Sequence, residues 1–133
     1  MKLGSKAVSS IVKLINDASL TDFEGRAYKY EKPKGVTGEY IAVNALPFLN
    51  NDVVGEGTIN INIHVPKLPN GLPDTLRLET LSEEIISLFP LDAPLYLDKA
   101  YWEYYCDSRP TEDNDNTYYV NLQVKVKYNN LIY

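Results

Sequence analysis

Residues 57–66 read Gly57-Thr58-Ile59-Asn60-Ile61-Asn62-Ile63-His64-Val65-Pro66. Ile59, Ile61, Ile63 and Val65 alternate with Asn60, Asn62 and His64, a strict period of two built on β-branched residues. That pattern specifies a strand with one apolar face in the core and one polar face outside it. The rest of the chain supplies what such a strand must pack against.

Upstream, Glu39 to Leu46 is a second apolar run, with little polarity on either face, and reads as an internal strand. Pro47 stops it. Residues 48–57 then form a turn-rich connection, so the two strands pair antiparallel through a long hairpin arm. Phe48, Leu49, Val53 and Val54 on that arm are apolar and costly to leave in water, which points to a partner surface. Before these lie a helix over residues 5–16 (Val8, Ile11, Val12 and Ile15 at helical spacing, Ser5 as N-cap) and a strand over 25–31, broken by Lys32-Pro33-Lys34-Gly35.

Downstream, residues 66–73 are a proline-rich loop. Asp74 or Thr75 caps a second helix, with Leu78, Leu81, Ile85 and Leu88 on one side and Pro90 as its stop. A strand from Tyr96 to Cys106 follows, then a polar loop over 107–116 and a last alternating strand from Tyr118 to Tyr128. The expected fold is one α+β domain over residues 1–133. Its antiparallel or mixed sheet has about five strands with two helices on one face, in the order α-β-β-β-α-β-β.

Eighteen acidic and thirteen basic residues leave a net charge of −5, against the basic stripe of a nucleic-acid binder. No apolar run reaches the ~20 residues of a membrane span and the N-terminus has no signal-peptide core, so a soluble, cytoplasmically made chain is expected. One cysteine excludes an internal disulfide.

His64 and Cys106 both fall near strand ends, with Asp107 adjacent. Cys106 follows a tyrosine-rich strand with no glycine turn or helix start of a nucleophile motif, so a catalytic pair is not expected. One histidine and one cysteine make no soft metal site. Residues 112–116 lack EF-hand spacing and read as a solvated hairpin tip. Neither a catalytic residue, a cofactor nor a metal is expected.

Eleven tyrosines against three phenylalanines concentrate at Tyr96, Tyr101, Trp102, Tyr104 and Tyr105, with Tyr118 and Tyr119 expected opposite. Neighbouring residues of a strand point to opposite faces, so this run puts rings on both. One set belongs to the core. The other suits a subunit interface through Tyr101, Trp102, Tyr104 and Tyr118.

This order of elements, with Gly25-Arg26-Ala27-Tyr28, Tyr40-Ile41-Ala42-Val43-Asn44 and the long hairpin into Thr58–Val65, resembles the phage tail terminator and tail-to-head joining proteins. The resemblance covers most of the chain and is one of pattern. It implies a non-enzymatic subunit that assembles into a ring, most often a hexamer, at the end of a tail. There it contacts the tail tube protein and the head-completion or neck proteins, in a virion built in the bacterial cytoplasm. No sequence-specific nucleic acid and no membrane are implied. Asn60, Asn62 and His64 would then face solvent, a neighbouring subunit or the lumen. The alternative is a small ligand-binding module or enzyme using the aromatic face around Tyr101 and Trp102.

Overall fold

In the computed structural model, which describes residues 4–50 and 54–129, the chain is α+β: two helices and one mixed sheet. Six strands lie along one path, in the order β1 (Ala27–Lys29), β2 (Tyr40–Ala45), β4 (Val54–Pro66), β8 (Thr117–Asn129), β6 (Ala100–Asp107) and β5 (Leu95–Leu97). Two short strands flank it: β3 (Leu49–Asn50) on β4 and β7 (Thr111–Glu112) on β8. Helix α1 spans Gly4–Asp17 and α2 spans Thr75–Ile86.

The opening stretch is the middle of the sheet. β4 pairs antiparallel with β2 on one side and, over all thirteen of its residues, with β8 on the other. Ile59, Ile61 and Ile63 stand beside Ala45, Val43 and Ile41 of β2 and beside Val124, Leu122 and Val120 of β8. These side chains form the core floor, sealed by Val8, Ile11 and Ile15 of α1 and Leu78, Leu81 and Ile85 of α2. Burying a side chain of this kind contributes about 1.5–3 kcal/mol, so the isoleucine row fixes which way the sheet faces. β2 is internal, as its composition requires.

The expected count of five strands, in that order, is not matched. Tyr96 to Cys106 is two strands, because Asp98 and Lys99 both take left-handed backbone (φ 53° and 60°) and reverse the chain between β5 and β6. A two-residue hairpin turn of this hand is usually signalled by Asn-Gly or Asp-Gly, and Asp-Lys gives no such signal. β1 pairs parallel with β2: the loop over 30–39, with Gly35 and Gly38 at positive φ, carries the chain back instead of closing a hairpin. From Val54 onward the second limb of the hairpin is backed by β8 along its whole length.

Helix ends also shift. Asp74 caps α2, accepting from the Arg77 N–H (3.2 Å). Leu88 falls beyond the helix, in tight turns that carry Phe89 into the core. Helix α1 begins at Gly4, which leaves Ser5 inside it.

Candidate functional site: the helix-free face of the sheet

The register fixes a set of rows across the face opposite the helices. At the β3 end, Leu49, Glu56, Lys127, Tyr101 and Tyr96 share one row. Leu49 is 72 % exposed, Tyr101 54 % and Tyr96 56 %, and the rings of Tyr96 and Tyr101 touch, with centroids 5.0 Å apart. The next row sets Thr58 beside Lys125, whose Nζ donates to Thr58 Oγ1 (2.8 Å) and sits 4.5 Å from the Tyr105 ring centroid. Tyr105 is the extra residue of a bulge between Tyr104 and Cys106. The bulge leaves its ring exposed.

The middle of the face is a ladder of amides. Asn60 Nδ2 donates to Asn44 Oδ1 (2.9 Å), while Asn121 Nδ2 donates to Asn62 Oδ1 (2.8 Å) and Asn60 Oδ1 (3.2 Å). Gln123 Nε2 donates to Asn60 Oδ1 (3.1 Å), and Cys106 Sγ reaches Gln123 Oε1 (3.5 Å). Side-chain amides carry donors and acceptors in equal measure, so they satisfy one another across strands and hold the register of the polar face.

At the far end is His64. Its imidazole lies between Tyr40 (centroids 4.3 Å, planes 9° apart) and Tyr119 (5.0 Å, 27°). The ring is buried, at 5 % exposure, which corrects the expectation that it faces solvent, a neighbour or a lumen. Two flat rings on neighbouring strands leave a slot that an imidazole fills. Nδ1 lies 3.0 Å from Thr117 Oγ1, and that hydroxyl donates its proton to Asp115 Oδ1. Thr117 therefore accepts from Nδ1–H, which sets the tautomer. Asp115 Oδ2 accepts from the Tyr40 hydroxyl. Asp113 Oδ2 lies 3.6 Å from Nδ1, and its Oδ1 accepts from the Asn114 N–H (2.7 Å).

The electrostatics follow from this packing. Burial pushes the His64 pKa below its ordinary value, outweighing the pull of Asp115 and Asp113 in the other direction. The imidazole is thus neutral near pH 7, and the contact with Asp113 is not an ion pair. Burial works against charge on Asp115 too, but bonds from Thr117 and Tyr40 prevail and hold its carboxyl below the usual range. Burial, with Asp115 beside it, pushes the Tyr40 phenol up.

The turn at 113–116 is fastened here from outside as well. Asn116 takes left-handed backbone (φ 67°), its carbonyl accepts from the Lys67 N–H (3.1 Å), and Lys67 Nζ pairs with Glu112 (2.6 Å). The acidic loop, read from sequence as a solvated tip, is docked on the sheet.

The expected interface residues divide. Leu49 and Tyr101 are exposed, whereas Phe48, Tyr104 and Tyr118 are half-buried and packed against the core. Trp102 is fully enclosed, its Nε1–H donating to the Leu97 carbonyl (2.9 Å), and presents no surface to a partner. Val53 lies outside the described residues, and of Val54 only the backbone at the start of β4 is described. Tyr118 and Tyr119 do not stand opposite the aromatic run; they pair with Glu112 and Thr111, and Tyr101 pairs with Lys127. Asn60 and Asn62 are on the polar face as expected.

His64 and Cys106 are not brought together. Cys106 is on the Gln123 row and His64 on the Tyr119 row, four residues or about 13 Å apart along β8. The grouping that sequence reading missed is His64 with Tyr40, Asp113, Asp115 and Thr117. Its sequence trace is the spacing Asp113-x-Asp115-x-Thr117, leading into the last strand. The chain matches no protein-family model and no curated protein.

Proposed function

We propose that the chain is a structural subunit that works by association rather than catalysis: a ring-forming protein at the end of a phage or prophage tail, capping the tube and joining it to the neck. The observation that carries this reading is the row Leu49–Glu56–Lys127–Tyr101–Tyr96. It places three exposed apolar side chains around an acid and a base at one end of the sheet. Large exposed aromatic and aliphatic groups gathered on one surface are the composition of a protein–protein contact. The tail-terminator reading itself comes from the sequence resemblance, with which the α+β class of the fold is compatible.

The partners proposed are further copies of this chain, most simply six, the tail tube protein and a head-completion protein. The alternative, ligand binding on the aromatic face, has less behind it. Trp102 belongs to the core. An open cleft of about 710 Å³ is lined by Asp22, Glu24, Tyr28 and Glu39, with no residue of β5 or β6.

The test is light scattering and negative-stain imaging of the purified chain, alone and with tail tubes. Closed rings on tube ends are expected. A chain that stays monomeric at high concentration and leaves tube length unchanged sinks the proposal.

A further inference from the structure

We propose that His64, Asp113 and Asp115, completed by the Thr117 hydroxyl, bind a divalent transition cation that ties the 113–116 turn to the end of β4. One donor atom from each of the three residues lies within 4.8 Å of the others. Donors sharing one ion at about 2.0–2.2 Å stand no more than about 4.4 Å apart, so a small closure of the two carboxylates completes the site.

The cluster is more than an acidic patch, because its centre is a buried imidazole whose direction is fixed. Tyr40 and Tyr119 hold the ring on both faces and turn Nδ1 toward the two aspartates. Each carboxylate in turn has one oxygen occupied by an outer donor. Asp113 Oδ1 takes the Asn114 N–H and Asp115 Oδ2 takes the Tyr40 hydroxyl. The inner oxygens are Asp113 Oδ2, toward Nδ1, and Asp115 Oδ1, which accepts the Thr117 hydroxyl proton where an ion would take its place. Outer donors that orient carboxylates while the inner oxygens converge are what a metal site needs around its ligands. The cation would replace the Nδ1 proton, which moves to Nε2 or to solvent.

The donor set names the class of ion. One imidazole nitrogen with two carboxylate oxygens and no thiolate suits Zn²⁺, Mn²⁺ or Co²⁺. Calcium asks for six to eight oxygens. The other charged group whose field reaches the imidazole is Lys32, its Nζ held by the Val36 carbonyl (2.6 Å) over the Tyr40 ring at 5.2 Å. It is a fixed competitor at the rim.

The full chain, stripped with chelator and dialysed, is titrated with ZnCl2, MnCl2, CaCl2 or MgCl2 by calorimetry, with melting curves alongside. One equivalent of Zn²⁺ or Mn²⁺ should bind and raise Tm. Mn²⁺ should broaden the amide NMR signals of residues 64 and 113–117 before others. Asp113→Asn, a change at a partly exposed side chain, and Asp115→Asn should each weaken binding at least about tenfold. Three outcomes overturn the proposal: no heat and no Tm shift with any transition ion at millimolar concentration, affinity in both variants unchanged from that of the parent chain, or tighter binding of Ca²⁺ than of Zn²⁺.

Discussion

Arg77 in the first turn of α2 holds Glu39, just before β2, through two parallel bonds: Nε to Oε2 at 2.6 Å and Nη2 to Oε1 at 2.9 Å. Both side chains are about four-fifths buried, and the carboxylate raises the Arg77 pKa chiefly through that hydrogen bond. The pair joins the second helix to the start of β2, in the half of the sheet away from the aromatic strand. A bidentate, charge-assisted pair of this kind is worth more than a surface ion pair. Glu39→Gln should cost about 1.5–3 kcal/mol in urea unfolding. A double-mutant cycle with Arg77→Met should give a coupling above about 1 kcal/mol. Additive losses would mean that the two residues act separately.

The backbone of Glu39 is closely approached by Gly25. A methyl group on Gly25 would lie 2.1 Å from the Glu39 carbonyl oxygen, and one on Gly57 would lie 2.2 Å from the Phe48 ring. A backbone carbonyl cannot retreat without moving the chain, whereas a ring near the surface can turn. Gly25→Ala is therefore expected to cost at least about 2 kcal/mol, and Gly57→Ala less, with most of the second loss recovered by adding Phe48→Leu. Equal costs for the two single variants would contradict this account.

The neutral, buried His64 makes the fold acid-sensitive in metal-free buffer. Its pKa in the folded chain lies below the ordinary 6.5, so the unfolded chain takes up its proton first as pH falls. The stability gained from a neutral imidazole is then fully present above about pH 6.5 and is lost progressively below it. Asp115, also depressed from its usual 3.8, adds a further loss at lower pH. The urea midpoint should fall between pH 7.5 and 5, and His64→Gln should flatten that slope. A midpoint independent of pH over this range would rule the idea out.

Leu49 and Tyr101 test the association surface without touching the core. Each stands more than half exposed, so Leu49→Ser and Tyr101→Ser should change stability by no more than about 0.5 kcal/mol. Sedimentation should show both variants losing self-association, with the pair worse than either alone. Loss of stability instead would mark these residues as structural.

The docked acidic turn shows where sequence reading stops. Asp113 and Asp115 sit in a polar run with every mark of a solvated tip, and composition cannot say what such a tip lands on. Its partners, Tyr40 and His64, lie 75 and 53 residues from the positions they bond, on strands whose relative register is a tertiary fact. The Asp98-Lys99 turn was hidden for a local reason, since lysine stands at the second turn position, where glycine would signal left-handed backbone.

What the sequence determined is the periodicity: Ile59, Ile61, Ile63 and Val65 could only be a core face, because water is a poor solvent for every second side chain and a good one for the rest. The two helices and the internal place of β2 followed from the same apolar patterning. The tertiary structure decided what that patterning leaves free. Once β4 paired with β2 and β8, the polar face became a graded surface, exposed and apolar by Tyr101, amide-bonded at Asn60, and closed around His64. Burial energy sets which face turns inward; cross-strand register alone sets which polar side chains meet on the other.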